Sequence, residues 1–291
     1  MVTHGFLFAR YANFDALHAG YLQARKGCRD SRACMRFEQR LEENLIELLN
    51  HLQWGSYRTG PYRHFYVNEP KRRRITALTQ FRDRVLQHAM YAELEPLWER
   101  RFIADSYACR VDKGTHAAAD RAQQMLRECL HRHGRIYVLK ADIAKYFASI
   151  DHRHVKRLIR RVIRCPATLA LLDEMIDSYS EPGRPGKGMP IGNLISQLLA
   201  NVYLDALDQY VKCRLGERWY IRYMDDWLII GPDKQHLHQL RIHLEWWLAE
   251  HLELSTNHKT AVFPVHPREG GAWISSATTC GRTSAACAKA A

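Results

Sequence analysis

The sequence predicts an α+β fold. Long segments repeat apolar residues at helical spacing, and short apolar runs bounded by turn residues read as strands. The two kinds of segment do not alternate in the regular βαβ rhythm of a parallel sheet. With 291 residues, 46% of them hydrophobic, the chain has apolar material for one large core or two smaller ones.

Taken in order, residues 8–55 read as helical. Within FEQRLEENLIELLNHLQWG, Phe37, Leu41, Leu45, Ile46, Leu48 and Leu49 fall near one face, and Gly55 supplies a stop. The Tyr-, Arg- and Pro-rich stretches YRTGPYRHFYVNEP and KRRRITAL read as short strands or loops. Helical period returns in TQFRDRVLQHAMYAELEPLWERRF, whose stripe is Phe81, Val85, Leu86, Met90 and Leu94. A second helix spans about Thr115 to His133. IYVLKADI is a strongly apolar strand, and DHRHVKRLIRRVI is a basic helix with Val155, Leu158, Ile159 and Ile163 inward. EPGRPGKGMPIG is a loop, NLISQLLANVYLDALDQYVK a helix, and RWYIRYMDDWLIIG a strand, tight turn and strand. HLHQLRIHLEWWLAEHL is an amphipathic helix, and ELSTNHKTAVF reads as a strand pair.

Lysine and arginine number 43 against 31 acidic residues, a formal charge of +12, so the surface is expected to attract polyanions such as nucleic acid. No run is apolar and long enough for a transmembrane helix, and the start lacks a signal-peptide core, so no membrane partner is expected. None of the eight cysteines forms a CxxC pair, which argues against a zinc site and for free thiols in a reducing cytoplasm. His152 and His154 form an HxH in a basic stretch with no cysteine or third histidine at metal spacing, so both are expected to be solvated.

Two sites carry chemistry. Asp142 ends an apolar strand, where a carboxylate is costly to bury without a partner. Asp225 and Asp226 sit at a turn between apolar strands, where adjacent like charges disfavour folding unless a cation neutralises them. A lone Asp-Asp pair is an ordinary turn. With a second strand-end aspartate and a basic chain, the three carboxylates point to a two-Mg2+ site for phosphoryl displacement, since Mg2+ takes carboxylate oxygens and leaves positions for phosphate and water.

These residues resemble the motifs of the reverse transcriptases. Tyr223-Met224-Asp225-Asp226 is similar to their YxDD box, and Asp142-Ile143 with Phe147 to their first catalytic motif. The resemblance implies a right-hand polymerase: N-terminal helices and fingers over 1–134, a palm with an antiparallel sheet packed on helices over 135–269, and an aberrant tail over 270–291 with the thumb missing or truncated. It implies that Asp142, Asp225 and Asp226 hold two Mg2+, with the backbone of Ile143 contributing, and that Phe147 is the steric gate against a ribose 2′-hydroxyl. RRRITALTQFRDRVLQHAM resembles the fingers motif in which Arg74, with Arg72 or Arg73 in support, holds the incoming triphosphate; arginine suits phosphate because its fork donates bidentate bonds. SYACRVDKGTHAA, with Arg110 and Gly114, matches the next motif. Arg82, Arg84, Arg110 and Lys113 are then expected near template and triphosphate, and Lys259 is similar to a palm lysine that protonates pyrophosphate.

Most reverse transcriptases carry QGxxxSP before a long helix, whereas this chain has Ile191-Gly192-Asn193-Leu194-Ile195-Ser196-Gln197. IGxxxSQ resembles the enzymes of diversity-generating retroelements, which copy a template RNA into error-prone cDNA. That implies deoxynucleoside triphosphates as substrates, a small basic accessory protein as partner and a bacterial or phage-encoded cytoplasmic protein. Ile191 and Gly192 would border the incoming nucleotide, where Ile191 lacks the hydrogen bond a glutamine would give. The alternatives are a group II intron or retron enzyme, or an inactive nucleic-acid-binding remnant.

The resemblance stops near Glu269. In the tail from Gly270, 13 of 22 residues are Ala, Ser or Thr. Read two bases on, the codons of Ala272 to Gly281 can spell LDFLGYHMW, which contains the FLGY expected at this point in the family. A frameshift near Gly270 or Gly271 is therefore expected, and with it the loss of the strand and thumb that grip the primer.

Overall fold

The computed structural model describes residues 5–68 and 73–265. The N-terminal region is helical: α1 (Phe8–Tyr11), α2 (Phe14–Ala24), α3 (Arg32–Glu38) and α4 (Leu41–Gln53). Asn13 and Ser31 start α2 and α3 by accepting backbone N–H bonds, so the region 8–55, expected to be helical, is divided by its own caps. Leu45, Leu48 and Leu52 form the buried face of α4. Ile46, expected inward, is exposed, because it lies off the i, i+3, i+7 stripe formed by Leu45, Leu48 and Leu52.

A two-stranded antiparallel ribbon follows, β1 (Tyr62–Val67) and β2 (Arg73–Leu78). Helix α5 (Phe81–Glu99) buries all five residues of its expected stripe. Next come β3 (Ser106–Tyr107), α6 (Thr115–His133), ended by Gly134 at φ 73°, and β4 (Ile136–Asp142). The short α7 (Tyr146–Ser149) leads to α8 (His152–Arg160) and α9 (Pro166–Asp177). Helix α10 (Leu194–Gln209) runs into a π-helical turn at Tyr210–Arg214. The chain then forms β5 (Tyr220–Tyr223), β6 (Asp226–Gly231), α11 (Lys234–Leu252) and β7 (Ala261–Val265).

Five strands make one sheet in the order β3-β5-β6-β4-β7, antiparallel except for the β3–β5 pair. Side chains alternate across it. Leu139 and Ala141 of β4, Tyr220 of β5 and Trp227 and Ile229 of β6 share a core with α5, α10 and α11. Val138, Ile221 and Ile230 face a second core with Ala118, Ala122, Met125 and Cys129 of α6. Helices on both faces explain why β4 reads as an unbroken apolar run. Both β3 and α6 precede residue 135, yet they belong to this sheet and its covering layer.

The expected strand pair over ELSTNHKTAVF is one strand. Before it, Thr256 makes a single antiparallel bridge to Ile143 and a turn follows at His258 and Lys259; the backbone here bonds just past β4, where Ala144 N–H donates to the Ser255 carbonyl at 2.9 Å and Asn257 N–H to the Asp142 carbonyl at 2.7 Å. The HxH histidines also differ from expectation. Asp151 caps α8 by accepting from the N–H groups of Arg153 and His154. His152 is buried, with Nε2 at 2.8 Å from the Gly188 carbonyl, while His154 is half-buried beside Glu253. Six described cysteines are free thiols, and no described helix is long and apolar enough to cross a membrane. The tail from 270 lies outside the described residues.

Candidate active site

Strand register brings the acidic residues together. Asp142, last residue of β4, stands opposite Asp226, first residue of β6. Tyr223 pairs with Asp226, so Met224 and Asp225 are the two residues of a tight hairpin. Met224 takes φ 53°, the left-handed conformation that two-residue hairpins require. One carboxylate oxygen from each of Asp142, Asp225 and Asp226 lies within 4.8 Å of the others. The Ile143 N–H donates to the Asp225 carbonyl at 3.3 Å, and Asn257 Nδ2 donates to Asp142 Oδ2 at 3.3 Å. An all-oxygen donor set of this size suits a hard divalent ion.

The hairpin rests on a buried ion pair. Arg222, fully buried on β5, makes a two-pronged bond to the equally buried Asp208 of α10, with Nε at 2.7 Å and Nη2 at 2.6 Å. Its remaining donors reach the Ser106 hydroxyl at 3.0 Å, Asn201 Oδ1 at 3.2 Å and the Met224 carbonyl at 2.8 Å. All five guanidinium N–H groups are therefore used. Burial opposes the charge on Arg222, but Asp208 outweighs it and holds the pKa above the usual arginine range. The Tyr220 hydroxyl donates to the same carboxylate at 2.6 Å, and burial keeps that phenol protonated. This network ties α10, β3 and β5 to the backbone of the left-handed residue in the turn.

Beside the hairpin lies a cavity of about 410 Å3. The expected site residues Arg74, Phe147, Ile191, Gly192 and Asp225 line it. Four separate segments deliver them. Arg74 comes from β2 of the ribbon, and Phe147 from α7, entered through Lys145 at φ 49°. The loop before α10 is tied to the ribbon where Thr76 N–H donates to the Ile191 carbonyl at 2.9 Å. It is tied to α7 where Met189 N–H donates to the Phe147 carbonyl at 2.8 Å. Gly192 adopts φ 116°, a conformation that favours glycine, and a Cβ there would sit a tight 3.1 Å from Ile75 Cγ2.

The other expected site residues are spread around this centre. Lys259 is exposed on the turn that holds Asp142 and does not line the cavity. Arg82 and Arg84 lie in the first turn of α5, the former 6.0 Å from the Tyr57 ring centre and the latter 5.8 Å from that of Phe81. Arg110 is not an open surface group. Its guanidinium is buried, bonded to both Glu99 oxygens at 2.8 and 2.6 Å and to the carbonyls of Ile103 and Ser106. Lys113 bonds to the Ala104 carbonyl and lies 4.9 Å from the Tyr107 ring centre; burial and then Arg110 lower its pKa. Arg72 lies outside the described residues.

A family model for reverse transcriptase (RNA-dependent DNA polymerase) matches residues 67–269. The chain belongs to the reverse transcriptase family. Among curated relatives, Protein YkfC of Escherichia coli (strain K12) is 31% identical over 194 residues, 63% of this chain and 51% of that protein. Group II intron-encoded protein LtrA of Lactococcus lactis subsp. cremoris is 28% identical over 176 residues, 58% of this chain and 28% of that protein. The chain thus spans about half of the length of the first of these relatives and about a quarter of the second. Among solved structures, the telomerase of Candida albicans in complex with a fragment of telomeric RNA superposes with a TM-score of 0.51 at 11% identity. That likeness covers 72% of this chain and 42% of the telomerase chain, and it is a likeness of fold.

Within this reverse transcriptase fold, the cavity also contains residues that sequence motifs did not single out. Lys145, Tyr179 and Glu181 line it alongside Arg74. Arg74 Nη2 donates to the Tyr179 hydroxyl at 2.8 Å, and that hydroxyl donates to Glu181 Oε2 at 2.9 Å. Tyr179 and Glu181 fall at the entrance to a loop that has no periodicity to mark which side chains turn inward. Lys145 is only three residues from Asp142, and its left-handed backbone carries no sequence signal because it is not glycine.

Proposed function

We propose that this chain is an RNA-directed DNA polymerase that adds deoxynucleotides to a primer 3′-hydroxyl. The observation that carries the reading is the meeting of three carboxylates from facing strands, whose ligand oxygens lie within 4.8 Å of one another, at a cavity also lined by Arg74 and Phe147. Asp142, Asp225 and Asp226, with the Ile143 backbone, would hold two Mg2+, which when bound lower the pKa of the attacking hydroxyl and neutralise the leaving pyrophosphate. Arg74, with Arg72, binds the triphosphate through charge-assisted bonds. Phe147 occupies the space a ribose 2′-hydroxyl would need. Lys259 supplies a proton to pyrophosphate once template and primer enclose it. Arg82, Arg84 and Lys113 contact the template backbone, and Arg110 braces the segment that carries Lys113.

In this reading residues 1–134 carry the fingers and 135–269 the palm, with β3 and α6 contributed to the palm by the earlier segment. The tail from 270 is a frameshifted stand-in for the primer-gripping strand and thumb. The IGxxxSQ box supports the diversity-generating subtype, acting on a template RNA with a small basic accessory protein. A group II intron-type enzyme is the second reading, favoured by the likeness to the intron-encoded protein of Lactococcus.

The test is primer extension on an RNA template with Mg2+, using this chain and a version with the tail read in the alternative frame. Extension by the frame-restored protein, abolished by Asp225→Asn, supports the polymerase. Equal extension with Asp225→Asn, or none by either tail form, overturns it.

A further inference from the structure

The arginine read as the triphosphate ligand is already engaged by an anion. Arg74 Nη2 stands 3.5 Å from Glu181 Oε2, and the Tyr179 hydroxyl bridges the two groups. Burial and then Glu181 raise the Tyr179 pKa, so this hydroxyl keeps its proton and donates it to the carboxylate. Arg74 and Glu181 each keep about 30% of the side chain exposed, so the pair can open without unpacking a core.

Glu181 is held there by its backbone. Its N–H donates to the Lys187 carbonyl at 2.8 Å, and its carbonyl accepts from Arg184 N–H at 2.8 Å. Gly188, at φ 101°, comes so close that a Cβ there would lie 3.0 Å from the Glu181 backbone and Cβ. The loop is shaped to present this side chain to the cavity. Among the described residues, Glu181 and Asp225 are the acidic ones lining it, and Arg74 and Lys145 the cationic ones.

We propose that Glu181 is a displaceable anion that occupies Arg74 until the triphosphate of an incoming nucleotide takes its place, and that re-engages Arg74 as pyrophosphate leaves. This rests on the reading of the cavity as the nucleotide site. A triphosphate brings several charges against one carboxylate, so it wins the arginine, but each binding event must break the Arg74–Tyr179–Glu181 contacts. Glu181 therefore weakens the binding of phosphate ligands in general and speeds their exit. The same carboxylate acting as a fixed support for Arg74 would do the opposite.

Glu181→Gln separates these two behaviours, since it removes the charge and keeps the shape. An exposed ion pair is worth up to about 1 kcal/mol, or up to about fivefold in an equilibrium. Steady-state primer extension should show a KM for deoxynucleotide lowered by up to about fivefold, with the effect on KM rather than kcat. Inhibition by added pyrophosphate should strengthen by a similar factor. Calorimetric binding of inorganic tripolyphosphate reads the same displacement without catalysis. In an Arg74→Gln background, Glu181→Gln should change that binding much less.

An unchanged or raised KM, or tripolyphosphate binding no tighter than in the parent, overturns the proposal while leaving the polymerase intact if the parent extends primers. Tighter tripolyphosphate binding by Glu181→Gln in a protein whose frame-restored form extends no primer supports the displaceable anion and sinks the polymerase.

Discussion

Arg222→Met removes one partner of an ion pair in which both side chains have no exposure. The change leaves Asp208 with the Tyr220 hydroxyl as its remaining partner in the network, and it takes a donor from Ser106, Asn201 and the Met224 carbonyl. Breaking a buried pair in this way costs about 3–5 kcal/mol, because an uncompensated charge stays in a low-dielectric interior. A surface pair would cost about 1 kcal/mol or less. The larger figure is a substantial part of the roughly 5–15 kcal/mol that holds a domain folded, and corresponds to a fall in Tm on the order of 10 °C. Thermal unfolding followed by circular dichroism reads it. The companion Arg222→Met/Asp208→Leu takes away both charges, and replacing a buried pair by apolar residues of similar volume is often neutral. The double variant should recover part of the lost stability, although Tyr220 and Met224 still lack their partners. It should not recover primer extension, because the Met224 carbonyl, and with it the left-handed turn presenting Asp225, has lost its anchor. A Tm for Arg222→Met within about 2 °C of the parent would refute the buried-pair reasoning. Parental extension rates in the double variant would refute the claim that Arg222 positions the hairpin.

Two further predictions concern pH and fidelity. His88 on α5 has its pKa lowered to about 4 by burial, and then by Arg84 and Lys26. Its unfolded pKa is about 6.5, so between these values the unfolded chain binds more protons and stability is lost as pH falls. Urea midpoints should therefore drop between about pH 6.5 and 4, and His88→Gln should flatten that part of the profile; an equally steep profile in the variant would remove His88 as the cause. Ile191→Gln adds a hydrogen-bonding side chain to the cavity wall, where it should reduce misincorporation opposite template adenine. Sequencing of primer-extension products would show it, and an unchanged error spectrum would dissociate Ile191 from fidelity.

The helix stripe of α5 and the limits of α6 are plain in the sequence because local periodicity and a terminating glycine set them. The hairpin is legible for the same reason: apolar runs on either side of Met224-Asp225 allow one register. The region 8–55, read as helical, is divided by caps into four helices, and the strand pair over ELSTNHKTAVF is one strand preceded by a bridge and a turn. In both places a side chain or a distant backbone group competes with the periodic pattern.

What the sequence determined by itself is the chemistry: three acidic residues at strand ends, arginines suited to phosphate, and motifs in the order of the reverse transcriptases. The tertiary structure decided which of those groups meet. Strand register sets Asp142 against Asp226, and backbone bonds between loop and ribbon bring Ile191 and Arg74 to one cavity. The same folding withdrew Arg110 into a bond with Glu99, buried Arg222 against Asp208, and set Glu181 on Arg74. The reason is that charge is written in the residue, whereas its partner and its exposure to water come from other chain segments, from about ten to more than a hundred residues away.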